Sequence, residues 1–361
     1  MGMHPASRCC SYNLVRPLFP STSRPTPINS LRFVNMTLSV SPYEQSRAAE
    51  WDDFVLRSNN GTIFHLRRFL GYHPPERFND HSLTFSGGKG VLALFPAAVR
   101  EVDGLRHLIS HPGASYGGFV TPVGLSFKNA NELVLALLDH ARGAGIGRIT
   151  MTHPPTIYNR RLSNYVEFAL LSHGFTSQKR EVSSILFLEQ DPKLNLAKFT
   201  SASRRAVRKA QQSGVVTKAS TDWPAFYDIL LNNLERRHGT QPTHTLEELE
   251  RLVALFPEDL RLLAAYLDGR MIAGLTIMNA NPDVTIAFYI SHDETYQEYR
   301  AVNLLFYEFI SQAIEGGYKY LDFGTFTLNM QANFGLARFK ESFGSSGIFR
   351  ETMTIDLQPG K

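Results

Sequence analysis

Apolar and polar positions alternate in a way that predicts one β-hairpin in each half of the chain. In the first half, the apolar runs Leu83–Phe85 and Val91–Phe95 flank a glycine-rich turn. In the second half, Leu262–Tyr266 and Met271–Leu275 flank an Asp-Gly pair at 268–269. Asp and Gly both tolerate positive φ, so this pair is a strong signal for a tight hairpin turn.

Each hairpin lies between two helical patterns. A Trp-x-x-Phe sequence starts the helix before it, at Trp51 and at Trp223. An amphipathic helix follows it and ends before a glycine, the residue that favours a left-handed C-cap. The following helices, strands and last short helices are Leu133–Leu138, Arg148–Met151 and Tyr165–Gly174 in the first half, and Leu304–Ile310, Tyr318–Phe323 and Phe334–Gly344 in the second. Elements that recur in the same order indicate a duplication.

This series predicts an α/β (α+β) fold of two tandem domains, each with a mixed, mostly antiparallel twisted sheet flanked by helices. We expect the boundary near Asp191, because Asp191-Pro192 interrupts the strand Ile185–Leu188. The two domains would then cover residues 37–190 and 191–361.

Residues 1–36 are rich in Pro, Ser and Arg and have no apolar periodicity, which is typical of a disordered tail. A transit peptide has a similar composition, and a true start at Met36 is the simpler explanation. The tail holds four arginines and no acidic residue, so the rest of the chain has 33 Lys and Arg against 33 Asp and Glu. We therefore expect no DNA-binding surface. Both cysteines, Cys9 and Cys10, also lie in the tail, so no cysteine chemistry is expected in the folded part.

The overall composition is that of a globular protein, with 43% hydrophobic and 19% charged residues. No apolar run approaches the ~20 residues that a membrane-spanning helix needs. The sequence therefore predicts no transmembrane segment. A cytoplasmic location is expected, and a folded part without cysteines is compatible with it.

Several strings resemble the FemAB-like branch of the GNAT acyltransferase superfamily. As a set they cover most of residues 40–355: Asn60–His65, His111–Gly118, Arg204–Ala210, Arg237–Gly239, Asp322–Gly324 and Gly335–Gly344. The resemblance implies tandem GNAT-like domains and transfer of an acyl or aminoacyl group to an amine. The implied donors are acetyl-coenzyme A or another acyl-coenzyme A, or an aminoacyl-tRNA. The expected acceptor is an amine on a small molecule, a sugar nucleotide or a cell-envelope precursor, and a non-catalytic binding module is the remaining alternative.

The donor site departs from the usual GNAT pattern. Enzymes that use acetyl-coenzyme A usually carry Q/R-x-x-G-x-G/A, whose glycines let backbone N–H groups hold the pyrophosphate. Here Gln297 fits the pattern, but Arg300 and Val302 replace the small residues. Either the Arg300 side chain binds phosphate instead, or the coenzyme site is absent. The candidate donor-binding residues are Ile290, Gln297, Arg300, Ala301 and Asn303.

Three residues are candidates for the acid–base chemistry of N-acyl transfer. Asp322 lies at the end of a predicted strand and would act as a base or orient the substrate; capping the next turn is the alternative. Tyr289 is expected at the open end of the second sheet. His238 follows a predicted helix, and a histidine that only interacts with the helix dipole is the alternative to a base there.

Basic side chains are candidates for binding the acceptor or a tRNA. Arg204, Arg205, Arg208 and Lys209 form one stripe along a helix without nearby acidic residues, although most such stripes are solvated surfaces. Further candidates are Arg237, Lys340, Ser115 and Tyr116.

Ser115 lies in a G-x-S-x-G sequence, but Pro122 and Gly124 oppose the helix that a nucleophile elbow requires. We therefore expect a glycine-rich substrate-binding loop at the interdomain cleft. The twelve histidines show no metal-ligand spacing, and residues such as His65 and His73 are expected at the surface.

Overall fold

The computed structural model describes residues 38–74, 76–88, 90–238 and 241–357. The tail predicted over 1–36 lies outside these residues.

The first half of the described chain contains eight strands and four α-helices. In chain order they are β1 (Ser39–Pro42), α1 (Ala48–Arg57), α2 (Arg67–Leu70), β2 (Asn79–Asp80), β3 (Leu83–Gly87), β4 (Gly90–Phe95), β5 (Ala98–Val102), β6 (Leu105–Ser110), α3 (Phe127–Gly143), β7 (Arg148–Thr152), α4 (Tyr165–Ser172) and β8 (Thr176–Phe187).

The second half has a similar alternation. Its elements are α5 (Pro192–Lys198), α6 (Ser201–Gln212), β9 (Val216–Ser220), α7 (Trp223–His238), α8 (Leu246–Leu255), β10 (Leu260–Leu267), β11 (Arg270–Asn281), β12 (Val284–His292), α9 (Ala301–Glu315), β13 (Tyr320–Thr325), β14 (Thr327–Leu328), β15 (Gln331–Ala332), α10 (Phe334–Glu341) and β16 (Ser346–Asp356).

Eleven of the described strands form one large sheet in the order β2-β5-β6-β7-β16-β8-β13-β12-β11-β10-β9. Its pairs β6–β7 and β12–β13 are parallel, and each is connected through one long helix, α3 or α9. The last strands of the two halves are exchanged: β16 pairs with β7, and β8 pairs with β13. Helices flank a mixed, mostly antiparallel sheet in both halves, as the sequence predicted. Because the exchange makes the sheet continuous, the boundary near Asp191 stays a prediction.

The hairpin turn at 268–269 forms as predicted. Asp268 and Gly269 have φ of 50° and 80° and join β10 to β11 as a two-residue loop. The hairpin of the first half also forms, but β3 and β4 belong to a separate three-stranded sheet in the order β1-β3-β4. A second tight turn at 103–104, which joins β5 to β6, was not predicted.

The two tryptophans that start the predicted helices are both buried, in one core cluster. Trp51 lies in α1 and donates a hydrogen bond from Nε1 to the carbonyl oxygen of His65 at 2.8 Å. His65 is itself fully buried, and burial lowers the pKa of its imidazole to about 4. His73 is also buried. The expectation that these histidines lie at the surface was therefore wrong, because loop-like sequence does not reveal that a loop is packed under a sheet.

Candidate active site

Strands β12 and β13 separate in the second half of the sheet. They pair in parallel only from Val284 to Ile286 and from Tyr320 to Asp322. Beyond this point β12 continues to His292, and its register with β11 shifts by a bulge next to Tyr289. The β13 strand continues toward β8 instead. Tyr289 and Asp322 lie next to this separation, at the end of the strands from which α9 is reached.

A short 3₁₀ helix, Glu294–Tyr299, leads from β12 into α9. Arg300 is the N-cap of α9 and has φ 58° and ψ 30°, in the left-handed region. This is the backbone conformation that glycine favours, so an arginine occupies a position where the GNAT pattern has glycine. The Arg300 side chain makes no capping hydrogen bond here. The N–H groups of Ala301 and Val302 and the positive dipole end of α9 therefore suit an anion.

The other predicted donor residues surround this helix end. Gln297 is exposed, and its backbone carbonyl oxygen accepts a hydrogen bond from the backbone N–H of Arg300 at 3.2 Å. Ala301 is buried, whereas Asn303 is half-buried. Ile290 packs against the core that α9 shares with α6. The structure thus brings all five predicted donor residues together at the end of β12 and the start of α9.

Asp322 is the centre of a buried hydrogen-bond network. Its Oδ2 accepts hydrogen bonds from the hydroxyl of Tyr158 at 2.8 Å and of Tyr116 at 3.2 Å. Its Oδ1 accepts the backbone N–H of Gly324 at 2.7 Å. Asp322 is 1% exposed, and burial raises the pKa of its carboxyl, although these donors and the charge of Lys340 oppose that shift. The network joins the two halves, since both tyrosines belong to the first.

Lys340 fixes the bend that follows Asp322. Its buried Nζ donates hydrogen bonds to the carbonyl oxygens of Gly324 at 2.9 Å and Thr325 at 2.8 Å. Burial lowers the pKa of this ammonium group to about 8, while the charge of Asp322 acts in the opposite direction. The Lys340 side chain, which the sequence predicted to bind substrate, therefore holds the end of β13 in place.

The loop at Ser115 and Tyr116 lies beside this network. Arg350 donates a hydrogen bond from Nη2 to the carbonyl oxygen of Ser115 at 2.6 Å and stacks over the Tyr116 ring at 4.9 Å. No helix follows the loop until Phe127, so the nucleophile elbow is absent, as expected from the sequence.

Tyr289 lies in a second cluster on the same side of the sheet as Tyr116. Its hydroxyl is 2.7 Å from Nδ1 of His244. Burial lowers the pKa of His244 to about 4 and raises that of Tyr289 to about 12, so at neutral pH the imidazole is neutral and the phenol keeps its proton. Tyr72 of the first half packs near His244, with ring centroids 5.7 Å apart.

Other predicted site residues lie elsewhere or outside the description. Arg237 and His238 form the end of α7, and their side chains are not among the described ones. Arg204 donates a hydrogen bond from Nη1 to the carbonyl oxygen of Phe199 at 2.6 Å. Arg208 is exposed on α6, a helix that packs against α9.

Sequence analysis missed three members of the site: Tyr158, His244 and Arg350. Each is a single polar residue in an irregular segment or a long strand, and no local pattern marks it. Within the described residues, no group of three or more His, Cys, Asp or Glu side chains is placed to hold a metal ion. None of the described helices is long and apolar enough to cross a membrane.

Comparison with known proteins agrees with this architecture. Residues 197–341 match the family model described as an acetyltransferase (GNAT) domain. No protein with a curated description matches the sequence significantly. The fold is similar to the crystal structure of FemX, with 15% identity over 88% of this chain and 97% of that chain and a TM-score of 0.68.

Two further solved structures share the fold. One is the C-terminal domain (DUF2156) of a putative lysylphosphatidylglycerol synthetase from Agrobacterium fabrum, with 12% identity, 86% of this chain and 92% of that chain covered, and a TM-score of 0.55. The other is a tandem GNAT protein from the clavulanic acid biosynthesis pathway, with 12% identity, 90% and 100% coverage, and a TM-score of 0.53. These likenesses show that the chain shares its fold with FemX and with a tandem GNAT protein.

Proposed function

Because residues 197–341 carry a GNAT acetyltransferase domain, this chain is an acyltransferase, and we propose that it moves an acyl group from acyl-coenzyme A to an amine. The observation that carries the proposal is the separation of β12 from β13 beside Tyr289 and Asp322. A gap between two parallel strands, reached from the N-terminus of the crossover helix, suits an extended thioester whose phosphates end at α9. The match to a transferase domain favours an enzyme over a non-catalytic binding module.

The start of α9 would hold the donor phosphates. Its uncapped N–H groups and dipole favour an anion, and Arg300 adds a guanidinium group at the same point. We infer that Arg300 contributes a charge-assisted hydrogen bond while its backbone keeps the conformation of the glycine it replaces. Gln297 and Asn303 flank this position.

Tyr289 is suited to protonate the leaving group. As the new C–N bond forms and the C–S bond breaks, the amine loses a proton and the departing thiolate gains one. A phenol whose pKa is raised to about 12 keeps its proton at neutral pH. Tyr289 would pass this proton to the departing sulfur and recover one from the amine, so the proton transfers balance. Neutral His244, 2.7 Å away, orients the hydroxyl.

For Asp322, burial supports an orienting role rather than contact with a substrate. Both carboxylate oxygens accept hydrogen bonds from the protein, so the group fixes Tyr116, Tyr158 and the backbone of Gly324. We infer that Lys340 acts with it by holding the end of β13. The acceptor would lie above this floor, near Ser115 and Tyr116, and would be an amine on a small molecule, a sugar nucleotide or a cell-envelope precursor in the cytoplasm.

Isothermal titration with acetyl-coenzyme A and with longer acyl-coenzymes A tests the donor directly. We expect saturable binding, and release of free thiol that depends on an added amine. No binding at millimolar ligand, together with no thiol release, would remove the thioester donor from consideration.

A second candidate donor is an aminoacyl-tRNA, which the FemAB resemblance implies. The observation that favours it is the exposed face of α6, where Arg205, Arg208 and Lys209 have no hydrogen-bond or ion-pair partner among the described residues. Unpaired cations on a helix that packs on α9 suit a phosphate backbone. Arg204 is not counted in this face, because its guanidinium group donates a hydrogen bond to the carbonyl oxygen of Phe199.

The test is binding of charged tRNA to the wild type and to an Arg205→Ala, Arg208→Ala double variant. The salt slope of log Kd should fall by about two for two lost phosphate contacts. Arg47→Ala with Arg57→Ala, on α1 and its preceding turn, is the matched control for loss of two surface arginines. Salt-insensitive binding, or none, would discard this donor.

A further inference from the structure

Glu181 is a buried carboxylate without a cation partner. It lies in β8, is 7% exposed, and its Oε2 has no hydrogen-bond partner among the described residues. No Lys, Arg or His of the described chain lies within ion-pair distance of it. Buried carboxylates are normally paired or bound to a cation, because an uncompensated charge in a protein interior is strongly unfavourable.

The arginine best placed to pair with Glu181 is engaged elsewhere. Arg350 lies directly across from Glu181 in the register of β16 and β8. Its guanidinium group instead donates to the carbonyl oxygen of Ser115. The position across from the carboxylate thus contributes no compensating contact, and the carboxylate remains available to another cation.

Ser183 gives the same site a second unpartnered polar atom. It is two residues from Glu181 in β8, so both side chains point to the same face of the sheet. Ser183 is 1% exposed and its Oγ also has no hydrogen-bond partner within the described structure. Two buried polar groups on one face, both unsatisfied, indicate that a ligand or water completes their hydrogen bonds.

The β14–β15 hairpin covers these two residues. The hydroxyl of Thr327 accepts the N–H of Val182 at 2.8 Å, and the N–H of Met330 points to Oε1 of Glu181 at 3.4 Å. The hairpin tip has positive φ at both Asn329 and Met330, where glycine is the usual second residue. Met330 is nevertheless 63% exposed, so the fold places an apolar side chain at a strained tip.

A surface cleft lies next to Glu181, and the bend that follows Asp322 lies next to Ser183. The hairpin tip lines a cleft of about 460 Å³ together with Thr152, Lys179 and Thr352. On the other side, Ser183 pairs in register with Thr325, whose carbonyl oxygen accepts a hydrogen bond from Lys340. A ligand on Glu181 and Ser183 would therefore end one strand position from the bend that follows Asp322.

We propose that Glu181 and Ser183 bind the ammonium group of the acceptor amine beneath the β14–β15 hairpin. This inference rests on the proposed N-acyl transfer and specifies its acceptor as a molecule with a protonated primary amine. An ammonium group carries three donors, enough for the carboxylate oxygen Oε2 and the hydroxyl of Ser183 together. The Glu181 carboxylate would take one of these protons, and the free amine would then attack the thioester. An alcohol in place of the ammonium group carries no positive charge, so the negative charge of the Glu181 carboxylate would stay uncompensated.

The test compares wild type with Glu181→Gln, which removes the charge and keeps the shape. Thermal unfolding is followed with added ethanolamine, glucosamine or L-lysine. We expect these amines to raise the Tm of the wild type and not that of Glu181→Gln. In the thiol-release assay, the KM for the amine should rise by about 100-fold, while the affinity for acetyl-coenzyme A stays the same.

Glu351→Gln is the matched control. Glu351 lies next to Arg350 in β16, pairs with Arg180 at 2.8 Å, and points to the opposite face of the sheet. It should keep the wild-type response to amines. Ser183→Ala, which removes only the hydroxyl, should weaken the response without abolishing it.

The outcomes separate this inference from the proposed function. Equal responses of wild type and Glu181→Gln to all three amines, including no response from either, overturn the inference. If amines raise the Tm of the wild type but no thiol is released, the ammonium site is supported and the acyl-coenzyme A reaction is ruled out. If the wild type turns over and Glu181→Gln has the same KM for the amine, the acyl-coenzyme A reaction is supported and the ammonium site is ruled out.

Discussion

Tyr158 of the first half donates a hydrogen bond to Oδ2 of Asp322 in the second half at 2.8 Å. Tyr116 donates to the same oxygen, so a single buried carboxylate joins two irregular segments of the first half to a strand of the second. The exchange of β8 and β16 has the same consequence at the level of the sheet. Each half therefore completes the structure of the other, and the candidate active site forms where they meet.

Tyr158→Phe should destabilise the protein by about 1–3 kcal/mol, because it leaves a buried carboxylate without one of its donors. Urea unfolding measures the change. Tyr165→Phe, on the exposed face of α4, is the matched control and should change stability by less than about 0.5 kcal/mol. Equal effects of the two substitutions would mean that the bond to Asp322 contributes nothing specific.

Lys340 should make stability depend on alkaline pH. Its pKa is lowered from 10.5 to about 8 in the folded protein, so between these values the unfolded chain holds a proton that the folded chain has released. The free energy of unfolding should therefore rise with pH in this window, by up to about 1.4 kcal/mol per pH unit relative to Lys340→Met.

The measurement is urea unfolding of wild type and Lys340→Met at pH 7.5 to 10, a range chosen to bracket the lowered pKa of about 8. Lys209→Met, on the exposed face of α6, shows whether loss of any lysine has this effect. A difference between wild type and Lys340→Met that is constant with pH would contradict burial of the charged ammonium group.

Tyr289→Phe should lower kcat by about 100-fold or more, the usual contribution of a positioned proton donor, and leave donor affinity unchanged. Thiol release and calorimetry give the two quantities. Tyr227→Phe is the control, because the hydroxyl of Tyr227 donates to the carbonyl oxygen of His244 at 3.1 Å and affects only the placement of that histidine. If both variants lose activity equally, the placement of His244 and not proton donation by Tyr289 accounts for the loss.

Local patterns predicted the elements of the fold but not their partners. The pair Asp268-Gly269 specifies a tight turn by itself, and apolar periodicity is enough to locate α9. The insertion of β16 between β7 and β8 involves strands about 170 residues apart, and periodicity carries no information about such pairings.

The same limit applies to the site. Tyr116 and Asp322 were each singled out from the sequence, but nothing local indicated that they share a hydrogen bond. Glu181 is one acidic residue in a long strand, and its burial becomes evident only when the β14–β15 hairpin covers it. Residues in recognisable motifs could be predicted, whereas residues defined by tertiary contacts could not.

Arg300→Gly should change stability and donor binding in opposite directions. The residue has φ 58°, so glycine relieves an unfavourable left-handed conformation and should stabilise the protein by about 1 kcal/mol. The same substitution removes the guanidinium group proposed to bind phosphate and should weaken acyl-coenzyme A binding by at least about 10-fold.

Asp268→Gly separates these two effects. Asp268 is also left-handed, with φ 50°, but it lies in the exposed turn between β10 and β11. The Asp268→Gly substitution should raise the Tm in thermal unfolding and leave the affinity for acyl-coenzyme A, measured by calorimetry, unchanged. If Arg300→Gly binds the coenzyme as tightly as wild type or more tightly, the backbone of α9 holds the phosphates alone, and the arginine replaces the usual glycine without taking over its role.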